Sequence, residues 1–108
     1  MTDIPKKIAK WPAGARHIGE RLHAVISASA PDLTPKLLWG APGYARNGKV
    51  VVHFRQDDGL VTFGLTEHAR LEVPAGSSDK LVPTSWALTE IDEATESRIA
   101  QIVREAAS

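Results

Sequence analysis

The dipeptide Asn47-Gly48 constrains this chain more than any other feature of it. A two-residue hairpin turn of type I′ needs positive φ at both central positions, and Asn-Gly accepts this with least strain. It is followed by Val50-Val51-Val52-His53-Phe54, a run rich in β-branched and aromatic residues. Asp57-Asp58-Gly59 then signals a second turn, and Leu60-Val61-Thr62-Phe63 reads as the next strand. Upstream, Leu37-Leu38-Trp39 runs into a sharp bend at Gly40-Ala41-Pro42-Gly43. The stretch from Leu37 to Leu65 is therefore expected to form a three-stranded antiparallel meander.

Side chains alternate across a strand, so the apolar pattern sets the register. Val50, Val52 and Phe54 form one set, and Val61, Phe63 and Leu65 form another. They share a face if Phe54 lies opposite Val61, Val52 opposite Phe63 and Val50 opposite Leu65. Around Asn47-Gly48, Ala45 falls opposite Val50 and Tyr44 opposite Val51. Ala45, Val50, Phe54 and Val61 are then expected to face the helices. Tyr44, Arg46, Lys49, Val51, His53, Arg55 and Thr62 are expected on the other, open face.

The flanks read as helices. Pro12 suits a first helical turn, and Ile18, Leu22, Val25 and Ile26 fall on one helical stripe. Pro31 ends that helix near Ala30. Gly19 inside it disfavours helix by ~1 kcal/mol relative to Ala, which implies a close neighbour at that turn. Asp32 to Lys36 reads as a connector and Thr66 to Leu71 as a short helix. Leu81 to Leu88 is a further strand, placed at an edge or starting late because of Pro83. Asp92 caps a last helix whose apolar stripe is Ile99, Ile102, Val103 and Ala106.

The expected fold is α+β: a two-layer sandwich, with an antiparallel β-meander sheet and the N- and C-terminal helices packed on one face. Residues 1–108 make a single domain, and residues 1–11 are expected as a loosely held arm. There is no cysteine, which removes disulfides, thiolate chemistry and the usual structural zinc ligands. No apolar run suits a signal peptide or membrane span, so a cytoplasmic location is expected and a membrane partner is not.

Net charge is zero, but the halves differ. Residues 1–55 carry nine Lys or Arg against three acids, and residues 56–108 carry four against ten. Folding can neutralise one half with the other, or leave a bipolar surface that binds an anionic partner or self-associates as a weak homodimer. Lys6, Lys7 and Lys10 alone are too slight a signal for a nucleic-acid partner.

Gly43 to Lys49 matches the phosphate-loop pattern G-x-x-x-x-G-K. That loop needs Ser or Thr after the Lys and a helix beyond it, whereas Val50 and a strand follow here. There is no H-E-x-x-H zinc motif and no G-x-S-x-G elbow, so no catalytic residue is identified. A small enzyme would have to assemble its site in space, from His53, His68 and hydroxyls.

The open face is the candidate site. Arg46, Lys49, His53 and Arg55 make it cationic, and Trp39 and Tyr44 offer stacking area. The residues read as a non-enzymatic binding domain without a cofactor, taking an anionic small molecule or an acidic protein surface.

The segment Leu38-Trp39-Gly40-Ala41-Pro42-Gly43-Tyr44-Ala45-Arg46-Asn47-Gly48-Lys49 resembles the YdhG-like domains of unknown function. Their hallmark is an aromatic-Gly-x-Pro-x-aromatic segment followed by Asn-Gly-Lys and a strand. The similarity runs from the first helix through Ala30-Pro31 to Ile91-Asp92 and Ile99–Val103, with only the central segment specific. The resemblance implies a frataxin-like helix–sheet sandwich. It also implies an alternative function, iron binding or iron chaperoning, with Asp57, Asp58, Glu67 and His68 as candidate ligands.

Overall fold

Asn47 and Gly48 both take positive φ, at 54° and 81°, and join two strands as their chemistry requires. In the computed structural model, which describes residues 3–108, that hairpin lies at the centre of a five-stranded antiparallel sheet. The strands are β1 (Thr34–Leu38), β2 (Ala41–Arg46), β3 (Lys49–Asp57), β4 (Leu60–Leu65) and β5 (Ser85–Leu88), paired in chain order. Helices α1 (Ile4–Ile8) and α2 (Ala13–Ser29) precede the sheet, and α3 (Glu93–Ala106) follows it. The helices and one sheet face enclose a single core, so the chain is an α+β two-layer sandwich. No helix of the described residues is long and apolar enough to cross a membrane.

The helices start and stop where their ends are satisfied. Pro12 precedes α2, and Ala30, before Pro31, closes it. Asp92 accepts a hydrogen bond from the Thr95 N–H at 2.8 Å and caps α3. That bond holds the Asp92 carboxyl below its usual pKa.

Residues 3–11 are not the loose arm expected of them, and the remaining two arm residues lie outside the described chain. Ile4 and Ile8 on α1 are fully buried, and Trp11 sets its ring edge-on to Phe54 at 5.8 Å. A Cβ on Gly19 would stand 2.7 Å from the Trp11 ring, so this glycine lets α1 and its exit lie against α2. Ile4, Ile8 and Trp11 fall four and three residues apart, a helical spacing obscured by the lysines between them.

Register differs from expectation in two ways. Asp58-Gly59 is a two-residue turn, so Phe54 lies opposite Phe63 and Val52 opposite Leu65, rather than Phe54 opposite Val61. The slip is two residues, so the faces are unchanged: Val52, Phe54, Val61 and Phe63 are all buried in the core. Between β2 and β3 the ladder carries a bulge, with Ala45 opposite Val50 but Tyr44 opposite Val52. Val51 is the inserted residue, and it points into the core beside Val52. One extra residue reverses the alternation across it.

The irregular chain also differs. Thr66 to Leu71 is not helical, because Thr66 is held by the bulge: its N–H donates to the Val51 carbonyl and its hydroxyl to that of Val50. The expected connector at Asp32–Lys36 ends in an added edge strand, β1, whose residues pair with β2 from Thr34 onward. The last strand begins at Ser85, after Pro83.

Candidate functional site

Since α1, α2 and α3 cover one sheet face, the other face is open, and residues of β1, β2 and β3 line a groove on it. Lys36 and Leu38 come from β1, Ala41 from β2, and Val50, His53 and Arg55 from β3. Together with Trp39, Lys49 and the Leu65–His68 segment they line a groove of about 660 Å³. This size lies within the range of small-molecule sites.

The bulge decides which expected site residues belong to it. Tyr44, expected on the open face, faces the helices: its ring stacks on Phe54, with centroids 6.2 Å apart, and only 1 % of its surface is exposed. Its hydroxyl and His23 Nδ1 are hydrogen-bonded at 2.8 Å. Arg46, expected there too, donates to the Ala107 carbonyl at the C-terminal end of α3. A guanidinium at that position meets both an unpaired carbonyl and the negative end of the helix dipole. Val51 likewise lies in the core, whereas Val50, expected to face the helices with Ala45, lines the groove. The sequence carries no signal for a bulge among three consecutive valines.

Trp39, Lys49, His53 and Arg55 remain, and the structure brings all four to one groove. Lys36 joins them, outside the expected site because Asp32 to Lys36 reads as a connector in the sequence. The signal was present in the alternation of Thr34, Lys36 and Leu38 with Pro35 and Leu37. Lys36 Nζ donates to the Gly48 carbonyl at 3.4 Å, which draws it toward the turn beside Lys49.

His53 occupies the centre of the groove floor. Its neighbours across the ladder are Gly43 on β2 and Gly64 on β4. A Cβ on Gly64 would lie 3.1 Å from the imidazole Cε1 and Nε2, and a Cβ on Gly43 would lie 3.3 Å from Val50. The bare backbone at Gly64 thus gives the imidazole room to lie over β4, while that at Gly43 makes room for Val50. Burial, and then the Arg55 charge, lower the His53 pKa.

The four candidate iron ligands are not brought together. Glu67 and His68 line the groove beyond Thr66, which is tied to Val50 and Val51. Asp57 and Asp58 sit at the opposite end of β3, with Asp58 in the left-handed first position of the turn. Asp57 lies six positions along the strand from Val51, or roughly 20 Å. Among the described residues no three His, Asp or Glu side chains converge as a metal site. A second hollow, of about 340 Å³ between β5 and the start of α3, is lined by apolar side chains with Thr95 and Arg98.

Comparison with models of known protein families, with characterised proteins and with solved structures finds no match for this chain.

Proposed function

We propose that the chain is a small non-enzymatic binding domain whose open sheet face takes an anionic ligand. One observation carries this reading. Lys36, Lys49, His53 and Arg55 line a single groove, and among the described residues none of them forms an ion pair. The two ion pairs, Arg21–Glu96 and Arg70–Glu72, lie elsewhere. Glu67 is the only acid along the groove, so three fixed positive charges face one negative charge. Like charges gathered on one face are unfavourable to the fold by themselves. A bound anion reverses that sign, and charge-assisted hydrogen bonds from Lys and Arg are among the stronger polar contacts.

Binding without catalysis is favoured by what His53 and His68 lack. Among the described residues neither imidazole is hydrogen-bonded to a hydroxyl or a carboxylate, so no nucleophile–base pair is assembled in the groove; the one histidine–hydroxyl pair, His23 with Tyr44, lies on the helix side of the sheet. The reading is checked by titrating the protein with inorganic phosphate at low ionic strength, followed by calorimetry. Lys49→Ala and Arg55→Ala are each expected to weaken binding about five- to tenfold, with little change in melting temperature. The difference should shrink as salt rises, because exposed charges are screened over ~8 Å at physiological ionic strength. Phosphate affinity that stays the same in the Lys49→Ala, Arg55→Ala double variant would discard the groove as the site.

A further inference from the structure

The same turn is built three times in this sheet. Trp39-Gly40, Asn47-Gly48 and Asp58-Gly59 have φ pairs of 49° and 80°, 54° and 81°, and 57° and 87°. Asn and Asp are the residues that accept a left-handed backbone, because their short polar side chains bond locally. Tryptophan has no such compensation. Trp39 is also 98 % exposed, while Trp11 and Trp86 each pack against a phenylalanine. Nothing within the fold offsets either the strained backbone or the uncovered indole, and two neighbouring turns show what residue the backbone alone would select. Such strain at a single position points to a role outside the chain.

The indole stands at the rim of the cationic groove. It shares that groove with Arg55, Lys36 and His53, and shares an adjoining hollow with Lys7, Arg55 and Asp57. Arg55 and His53, two residues apart on one strand face, lie roughly 7 Å from each other. We infer that Trp39 is a stacking platform, and that the anion taken by the groove carries a flat aromatic ring, as a nucleotide does. The ring lies on the indole, and the phosphate reaches Arg55, His53 and Lys36. The inference rests on reading the groove as an anion site and adds the ring to it. Charge alone would suit an acidic protein surface, and the strained, exposed indole adds a stacking surface that charge recognition by itself does not require. Stacking platforms beside cationic grooves are how proteins hold bases without reading their sequence.

The test compares the whole protein with Trp39→Asn, which places at this turn the residue already found at position 47. Trp39→Gly serves as a second variant that also accepts the backbone. Both should melt no lower than the parent. Calorimetric titration at low salt uses inorganic phosphate, adenosine, adenosine monophosphate and a short single-stranded oligonucleotide. Adenosine monophosphate is expected to bind about tenfold more tightly than phosphate, the gain of one stacked base. Both variants should lose that margin and bind phosphate as the parent does, whereas Arg55→Ala should weaken both anions. An oligonucleotide that binds more tightly still, and through Trp39, upholds the inference with a single strand as the source. One that gains nothing upholds it with a free nucleotide. Equal binding of phosphate and adenosine monophosphate, unchanged in Trp39→Asn, overturns the ring while the anion site stands. Failure of both anions to bind overturns both readings. Binding of phosphatidylserine vesicles through Trp39, with no nucleotide binding, also overturns the inference and assigns the indole to a membrane surface.

Discussion

Tyr44 shows how much one residue's placement depends on its surroundings. Strict alternation from the Asn47-Gly48 turn puts it on the open face, yet the inserted Val51 turns it toward α2 and His23. Its ring and His23 are then held neutral by burial, which raises the Tyr44 pKa and lowers that of His23. On the far face, burial and the Arg55 charge lower His53 in the same direction. A base with a folded pKa below its unfolded value is protonated first in the unfolded chain. Its contribution to stability is therefore complete above the unfolded value, near ~6.5, and is lost as pH falls from there toward the lower folded value. The melting temperature is expected to drop as pH falls below about 6.5, and the His23→Gln, His53→Gln double variant should show a flatter profile. Melting curves across that range decide it, and an equally steep profile in the double variant would assign the loss to carboxylates. Trp39 was legible as a candidate but not its exposure, since nothing in the sequence separates a ring that fills a core from one that stands outside it.

Among the elements, the middle of the sheet was the most legible and its edges the least. Asn-Gly and Asp-Gly mark their turns through backbone chemistry alone, and the faces of β3 and β4 follow from a period of two. A register slip of two residues preserves that period, while a bulge of one residue breaks it. This is why the alternation assigns Phe54 to the correct face against the wrong partner, and Arg46 to the wrong face. β1 escaped notice because its five residues begin Thr-Pro-Lys, a poor strand composition that gains its place only by pairing with β2. At Gly19 the sequence announced a close neighbour without naming it, and the neighbour is Trp11. Gly19→Ala tests that packing. Helix propensity favours the alanine by ~1 kcal/mol, but overpacking a filled site costs about 1–3 kcal/mol. The Trp11 ring is pinned edge-on against Phe54 and cannot swing aside freely, so the steric effect should win. Urea denaturation is expected to show a less stable Gly19→Ala protein, and a more stable one would mean that α1 yields readily.

Across the whole molecule, the opposed charges of the two halves are joined at few points. Arg21 and Glu96 link α2 to α3 at 2.8 Å, an exposed pair that solvent and salt screen. Arg46 reaches from β2 to the end of α3, so a cation that the sequence assigned to ligand binding instead fastens the last helix. Arg46→Ala should accordingly lower stability by about 0.5–1.5 kcal/mol in urea and leave phosphate affinity unchanged. The reverse pattern, weaker phosphate binding at full stability, would return Arg46 to the site. One property of the sheet bears on how the chain comes to be folded at all. Every strand pairs with the one before it, and three of the four connections are two-residue turns. Sheets with such local pairing close their loops at little entropic cost and fold quickly for their class. As the polypeptide is made, α1, α2 and the first four strands all emerge before any of α3 does. The nascent sheet can therefore shelter Tyr44 and Phe54 under the first two helices, and release of β5 and then α3 lets Trp86, Ile99 and Val103 seal the remainder.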